Sequence, residues 1–193
     1  MTIAANSTVP EYSIAVARLL EPERIAELDR GTPNLVVREQ LMALTPENVV
    51  APRAAKDRNM AAACVAALWL YHDYLDESHT ISQSITTPTG SYWHGIMHRR
   101  EGDFSNAKYW MRRVGSHAVF EPLCAAARQL AAEHARDKTV EFLSRQSQWD
   151  PLQWIDLCAA AVAGPTGVGE LCRAIQSREW RLLFDYSYAK AVD

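Results

Sequence analysis

Residues able to bind a metal ion or move a proton recur at helical spacing in the middle of the chain. His72, Asp76 and His79 stand at i, i+4 and i+7, within an arc of about 60° on a helix of 3.6 residues per turn, and Gln83 extends the stripe. His94, His98 and Glu101 repeat the spacing. The break between the two stripes is short and carries Pro88 and Gly90, which predicts neighbouring helices that bring both stripes to one end of a hairpin. Neutral imidazoles and carboxylates facing each other suit a divalent metal or an acid/base pair, as in sites built inside helical bundles. His79, His94, His98 and Asp76 are the candidate metal ligands. His94, His98, Glu101 and His79 are the candidate catalytic groups.

The chemistry has no standard signature. His-Glu-x-x-His is absent, and Asp76-x-x-His79 has no mate that would complete the paired Glu-x-x-His of di-iron bundles. Tyr74 and Ile81 lie opposite the first stripe, and Tyr92, Trp93 and Ile96 opposite the second. The same spacing therefore also fits a solvated face with ordinary ion pairs, or a ligand cleft without metal.

Arg99, Arg100, Arg112 and Arg113 surround the second stripe in "HRREGD" and "YWMRR". Guanidinium forks bind carboxylate or phosphate, so their concentration beside histidine points to a small anionic ligand. Asn106, Tyr109 and Arg113 follow at i, i+3 and i+7 and complete the candidate ligand contacts with Arg99 and Arg100. A network tying these arginines to Glu101 or Asp103 is the plainer alternative. Trp93 and Trp110 are either pocket walls or core residues.

The elements that must position these groups are helical. Alternating apolar and polar runs are nearly absent, which predicts an all-α, single-domain bundle over 1–193. Its parts are short wrapping helices in 1–50, motif-bearing core helices in 53–117, and further bundle helices in 118–193. "PEYSIAVARLL", "PERIAELDRG" and "NLVVREQLMAL" each read as a short helix. Arg53–Gln83 holds no Gly or Pro and is apolar all round at "MAAACVAALWLY", as for one long buried central helix. A second helix is expected over Tyr92–Glu101, stopped by Gly102. Asp103 caps the next, which buries Ala107, Trp110, Met111 and Val114 and stops at Gly115. Asp150-Pro151 and Gly164-Pro165 bracket another helix, and Leu171, Ile175, Leu182 and Tyr186 line one side of the last.

Composition narrows the function classes. A net charge of -3 with 48% hydrophobic residues gives no global reason to bind nucleic acid or an anionic membrane. The longest apolar run, Met60–Tyr71, is too short to cross a bilayer, and Met1–Pro10 lacks a signal-peptide pattern, so a cytoplasmic protein is expected. Cys64, Cys124, Cys158 and Cys172 form no close pair and read as reduced core residues. No Gly-x-Ser-x-Gly elbow or phosphate-binding Gly-rich loop is present.

Tyr71-His72-Asp73 is similar to the His-Asp pair of the HD phosphohydrolases, but the further upstream histidine of that family is missing. "DYLDESHTISQ" and "GSYWHGIMHRREGDFSNAKYWMRRVGSH" resemble a motif of an uncharacterised group of bacterial and fungal all-helical proteins. That resemblance implies kinship over Leu70–His117 and assigns no activity or residue role. The residues themselves point to a small-molecule enzyme of proton transfer or hydrolysis, with a possible divalent metal and an anionic metabolite. A non-catalytic ligand-binding or interaction module, including a homodimer through Trp93 and Trp110, is the alternative.

Overall fold

The computed structural model describes residues 10–134, 138–164 and 167–193; Met1–Val9 and Pro165 of the expected stop lie outside them. Helices in chain order are α1 (Ile14–Leu19), α2 (Arg38–Met42), α3 (Arg58–Tyr71), α4 (Leu75–Ser82), α5 (Pro88–Glu101), α6 (Phe104–Val114), α7 (Phe120–Ala131), α8 (Glu141–Arg145), α9 (Pro151–Ala163) and α10 (Gly169–Val192). No strand occurs among the described residues. One contiguous apolar cluster runs from Val16 to Ala191, so the chain is a single all-α bundle.

The expected long helix Arg53–Gln83 is two helices. Asp57 caps α3 by accepting from Met60 N at 3.0 Å, and every residue from Ala63 to Tyr71 is buried. At Asp73 the backbone turns left-handed, with φ 65°, and α4 starts two residues later in a new direction. Such a conformation costs an Asp residue on the order of 1 kcal/mol. It is offset by two charge-assisted bonds to the buried carboxylate, from Arg24 at 2.9 Å and Arg100 at 2.6 Å. His72 is thereby detached from the Asp76/His79 stripe. Its ring contacts Leu19 O at 2.9 Å and Asn34 Nδ2 at 3.3 Å.

Helix α5 begins earlier than Tyr92. Pro88 occupies its first turn and Thr87 caps it, accepting from Gly90 N at 3.1 Å. The "TTPTGS" segment is thus a helix start rather than a break. Every residue from Thr89 to Arg100 is buried, because α5 packs against α3, α4, α6 and α9. Gly102 and Asp103 end α5 and begin α6 as the sequence indicates.

The segment "PERIAELDRG" is not helical but an extended strap between α1 and α2. Core side chains satisfy its backbone. Arg24 N donates to Tyr71 Oη at 2.8 Å, Gln176 Nε2 to Glu27 O at 2.8 Å, and Arg100 Nε to Asp29 O at 2.8 Å. In α10 the buried side is Leu171, Cys172, Ile175, Gln176, Glu179, Trp180, Leu183 and Phe184. Of the expected stripe, Leu171 and Ile175 are buried, and Leu182 and Tyr186 are half-buried and packed against the edge of the core. All four cysteines are buried and free.

Candidate metal centre

Three consecutive helices build the site. The short connector Gln83–Thr87 lays α4 beside α5, placing His79 against His94 and His98, which stand one turn apart on α5. Ring centroids are 4.8 Å apart for His79–His94, 5.2 Å for His79–His98 and 4.7 Å for His94–His98. One ring nitrogen from each can be chosen so that all three lie within 4.8 Å of one another. Helix α6 closes the side. At Gly95 a Cβ would lie 3.1 Å from Met111 Cε and 3.4 Å from Ala107 O, so the missing side chain lets α5 and α6 pack closely, and a larger residue would require Met111 to shift. The approach seats the Trp110 indole flat on His94, with centroids 4.1 Å apart and planes at 27°.

Burial sets the charge state. His94 is 2% exposed, and neither of its ring nitrogens has a hydrogen-bond partner among the described residues. Desolvation first, then His98 and His79, lowers its pKa to about 3. Desolvation and His79 lower His98 as well, against the opposing pull of Glu101. These two imidazoles are therefore neutral at pH 7, the form that donates a lone pair to a metal or accepts a proton.

A carboxylate stands behind the cluster. Glu101 Oε2 is 3.3 Å from His98 Nδ1, and Arg30 of the strap donates to Glu101 Oε1 at 2.8 Å. The contact is a close approach and not a formed hydrogen bond; a proton on Nδ1 turned toward Glu101 would leave Nε2 as the free lone pair, the arrangement in which a carboxylate behind a metal-bound histidine fixes its tautomer.

The structure does not gather all the sequence-predicted groups. Asp76 is 80% exposed and pairs with the other nitrogen of Arg30 at 3.2 Å, outside the three-histidine group. Both residues lie on α4 beyond the break at Asp73, and of the two only His79 reaches the α5 histidines. Arg99 and Arg100 face away from the histidines. Arg99 is completely buried and bonded to Glu179 at 2.6 Å, with Tyr92 Oη and Trp154 Nε1 donating to the same carboxylate at 3.0 and 3.3 Å. Arg100 serves Asp73 and the strap. Asn106 is part of the α6 start, donating through Nδ2 to Asp103 Oδ2 at 2.7 Å.

Tyr109 and Arg113 remain at the surface beside the cluster. The Arg113 guanidinium lies 5.2 Å from the Trp110 ring centre and 5.9 Å from that of Tyr109. It forms no ion pair with any carboxylate among the described residues. Trp93 is core, its indole donating to Ser187 Oγ at 3.1 Å, and cannot face a partner. Sequence reasoning missed Arg30, Asp73 and Glu179, whose roles depend on charged partners 27 to 80 residues away in the chain.

No protein-family model matches this chain, and neither a curated protein nor a solved structure is similar to it.

Proposed function

We propose that His79, His94 and His98 hold a divalent metal ion, and that the chain is an enzyme of proton transfer or hydrolysis on a small anionic metabolite. The observation that carries this reading is the buried triad itself: three imidazoles converge, and both nitrogens of His94 are left without a protein partner. Such groups are costly to bury unless something else binds them. Tetrahedral zinc with bonds of about 2.0–2.1 Å needs nitrogens roughly 3.4 Å apart. Rotation of half-buried His79 can close the remaining gap.

Three histidine ligands leave a coordination position for water or substrate, where a metal lowers the pKa of bound water and polarises an oxygen. The chain's own residues would do the rest. Glu101 orients His98, Trp110 keeps water from one face of His94, and Arg113 with Tyr109 offers a cation and a phenol to the anion.

Metal analysis of the purified chain and cobalt(II) titration test the reading. About one equivalent of metal is expected, with a cobalt absorption band lost in His79→Ala, His94→Ala and His98→Ala. Protein that is metal-free and takes up neither zinc nor cobalt below roughly 10 μM, weaker than about -7 kcal/mol, argues against it.

A second reading, a ligand-binding or interaction module, draws on the exposed apolar run before and along α2, where Leu35, Val36 and Met42 are 75%, 88% and 62% exposed. Sedimentation showing a metal-free dimer that dissociates in Val36→Asp would favour it.

A further inference from the structure

A small cavity lies under the strap, on the side of α5 turned away from the histidines. Ile96 and Arg100 line it, and each stands two positions, about 200° of helix, beyond His94 and His98. Leu70 and Tyr71 of α3, Trp180 of α10 and Arg24 of the strap form most of the wall, and Glu23, Ser177 and Arg181 also line it. It offers about 20 Å³ to the centres of water-sized groups, and one such group needs about 10–15 Å³.

Beside the exposed carboxylate of Glu23 and the hydroxyl of Ser177, the inner polar groups of this wall are donors. Arg100 is 2% exposed; its Nε and Nη2 are bonded to Asp29 O and Asp73, which leaves Nη1 outside both bonds. Arg24 Nη2 is bonded to Asp73, and Arg24 Nε is buried without a partner. The Tyr71 hydroxyl accepts from Arg24 N, so its own proton is free. Gln176, also in the wall, has its side chain committed to Ala26 O, Glu27 O and Arg99.

Charge points the same way. Arg24 and Arg100 share a single carboxylate, Asp73. With Glu23 and Arg181, which also line the cavity, three guanidinium groups stand against two carboxylates, and the side chain of Arg24 is 32% exposed. Guanidinium does not relieve this by deprotonating. A hollow whose inner donors carry one surplus positive charge is complementary to a compact acceptor with one negative charge.

We propose that the cavity between Arg24 and Arg100 is a second binding site, for a compact monoanion: a halide or a carboxylate no larger than formate. The anion would accept from Arg100 Nη1, Arg24 Nε and Tyr71 Oη, balance the surplus charge, and fasten the strap to α3 and α5. The site is independent of the histidine centre and stands whether or not a metal binds there.

Thermal unfolding of the full chain, with sodium gluconate replaced by bromide or by formate at constant ionic strength, tests the proposal. The expected result is a saturable rise in Tm for at least one of the two, as a ligand specific to the folded state gives. A response to bromide alone identifies a halide site, and a response to formate alone a carboxylate site. Arg24→Gln, which removes the surplus charge, should raise the apparent Kd at least tenfold. Crystals soaked in bromide should show an anomalous peak between Arg24 and Arg100 if the site takes halide, and a formate soak should show planar density there if it takes carboxylate. These maps decide the matter if Arg24→Gln does not fold. The proposal is overturned by unsaturable responses equal in the wild type and Arg24→Gln, or by cavity density that is only water after both soaks.

Discussion

Replacing His94 with leucine should make the metal-free protein more stable, the reverse of what removing a well-bonded core residue does. His94 is buried with no partner on either ring nitrogen. An unsatisfied buried donor or acceptor costs about 1–3 kcal/mol, so the two together cost on the order of 2–6 kcal/mol. The ring recovers part of this by stacking on Trp110 at 4.1 Å, worth about 0.5–1.5 kcal/mol. Leucine removes both the penalty and the stacking and keeps an apolar group against the indole. A net gain of about 0.5–5.5 kcal/mol is expected, each kcal/mol being roughly 2–4 °C in Tm for a chain of this size. The assay is urea and thermal unfolding in the presence of a chelator, then again with zinc. At a free metal concentration 100 times Kd the wild type gains about 2.7 kcal/mol, while His94→Leu gains little, so the advantage of the variant shrinks by about that amount. A His94→Leu protein more than 1 kcal/mol less stable than wild type under chelation, or one that zinc stabilises equally, refutes the reasoning.

Other expectations follow from the same contacts. Glu179→Gln leaves the fully buried Arg99 without its counter-charge and should cost about 3–5 kcal/mol, with much of this recovered in Arg99→Met/Glu179→Leu; a loss below 1 kcal/mol in urea would place Arg99 elsewhere. His72 and His117 are each lowered to about 4 by burial, so the unfolded chain, with values near 6.5, binds the extra protons first. Their contribution is complete above about pH 6.5 and is lost as pH falls toward 4. By pH 5 this removes about 2 kcal/mol per histidine, and chelated protein equally stable at pH 7 and pH 5 would contradict it. Arg30→Gln frees Glu101 and should weaken zinc binding about tenfold in competition with a chromophoric chelator. Asp76→Asn, touching only the other arm of Arg30, should change it much less, and equal effects would deny Glu101 its orienting role.

The bundle and the convergence of His79, His94 and His98 were legible in the sequence because both rest on local periodicity. Ala-rich apolar runs, Asp and Thr caps, and the i, i+4 spacing on α5 act over a few residues. The errors arose where a distant partner overrode a local preference. Nothing within 53–83 announces the break at Asp73, since its left-handed turn is held by Arg24 and Arg100 from other parts of the chain. His72 joins the stripe of Asp76 and His79 only on an unbroken helix, and Asp76, three residues from His79 on α4, points to Arg30 and solvent instead. Arg99 and Arg100 suggested ligand contacts because arginine is usually exposed. In the fold they meet Glu179 and Asp73, and no spacing rule links those positions. "PERIAELDRG" carries a helical pattern, yet its carbonyls are taken by Gln176 and Arg100, which hold it extended.

Arg99 and Arg100 are neighbours on α5, so their side chains leave the helix about 100° apart. One is tied to α10 through Glu179 and the other to Asp73 and the strap. Together they act as a key in a slot, preventing the helix from rolling about its own axis. On a helix whose side chains reach about 5–6 Å from the axis, a roll of 10° would displace an imidazole by roughly 1 Å, more than the ~0.5 Å that a working site tolerates. The aim of His94 and His98 is thus governed from the far side of the helix, by two charges that do not touch the imidazoles.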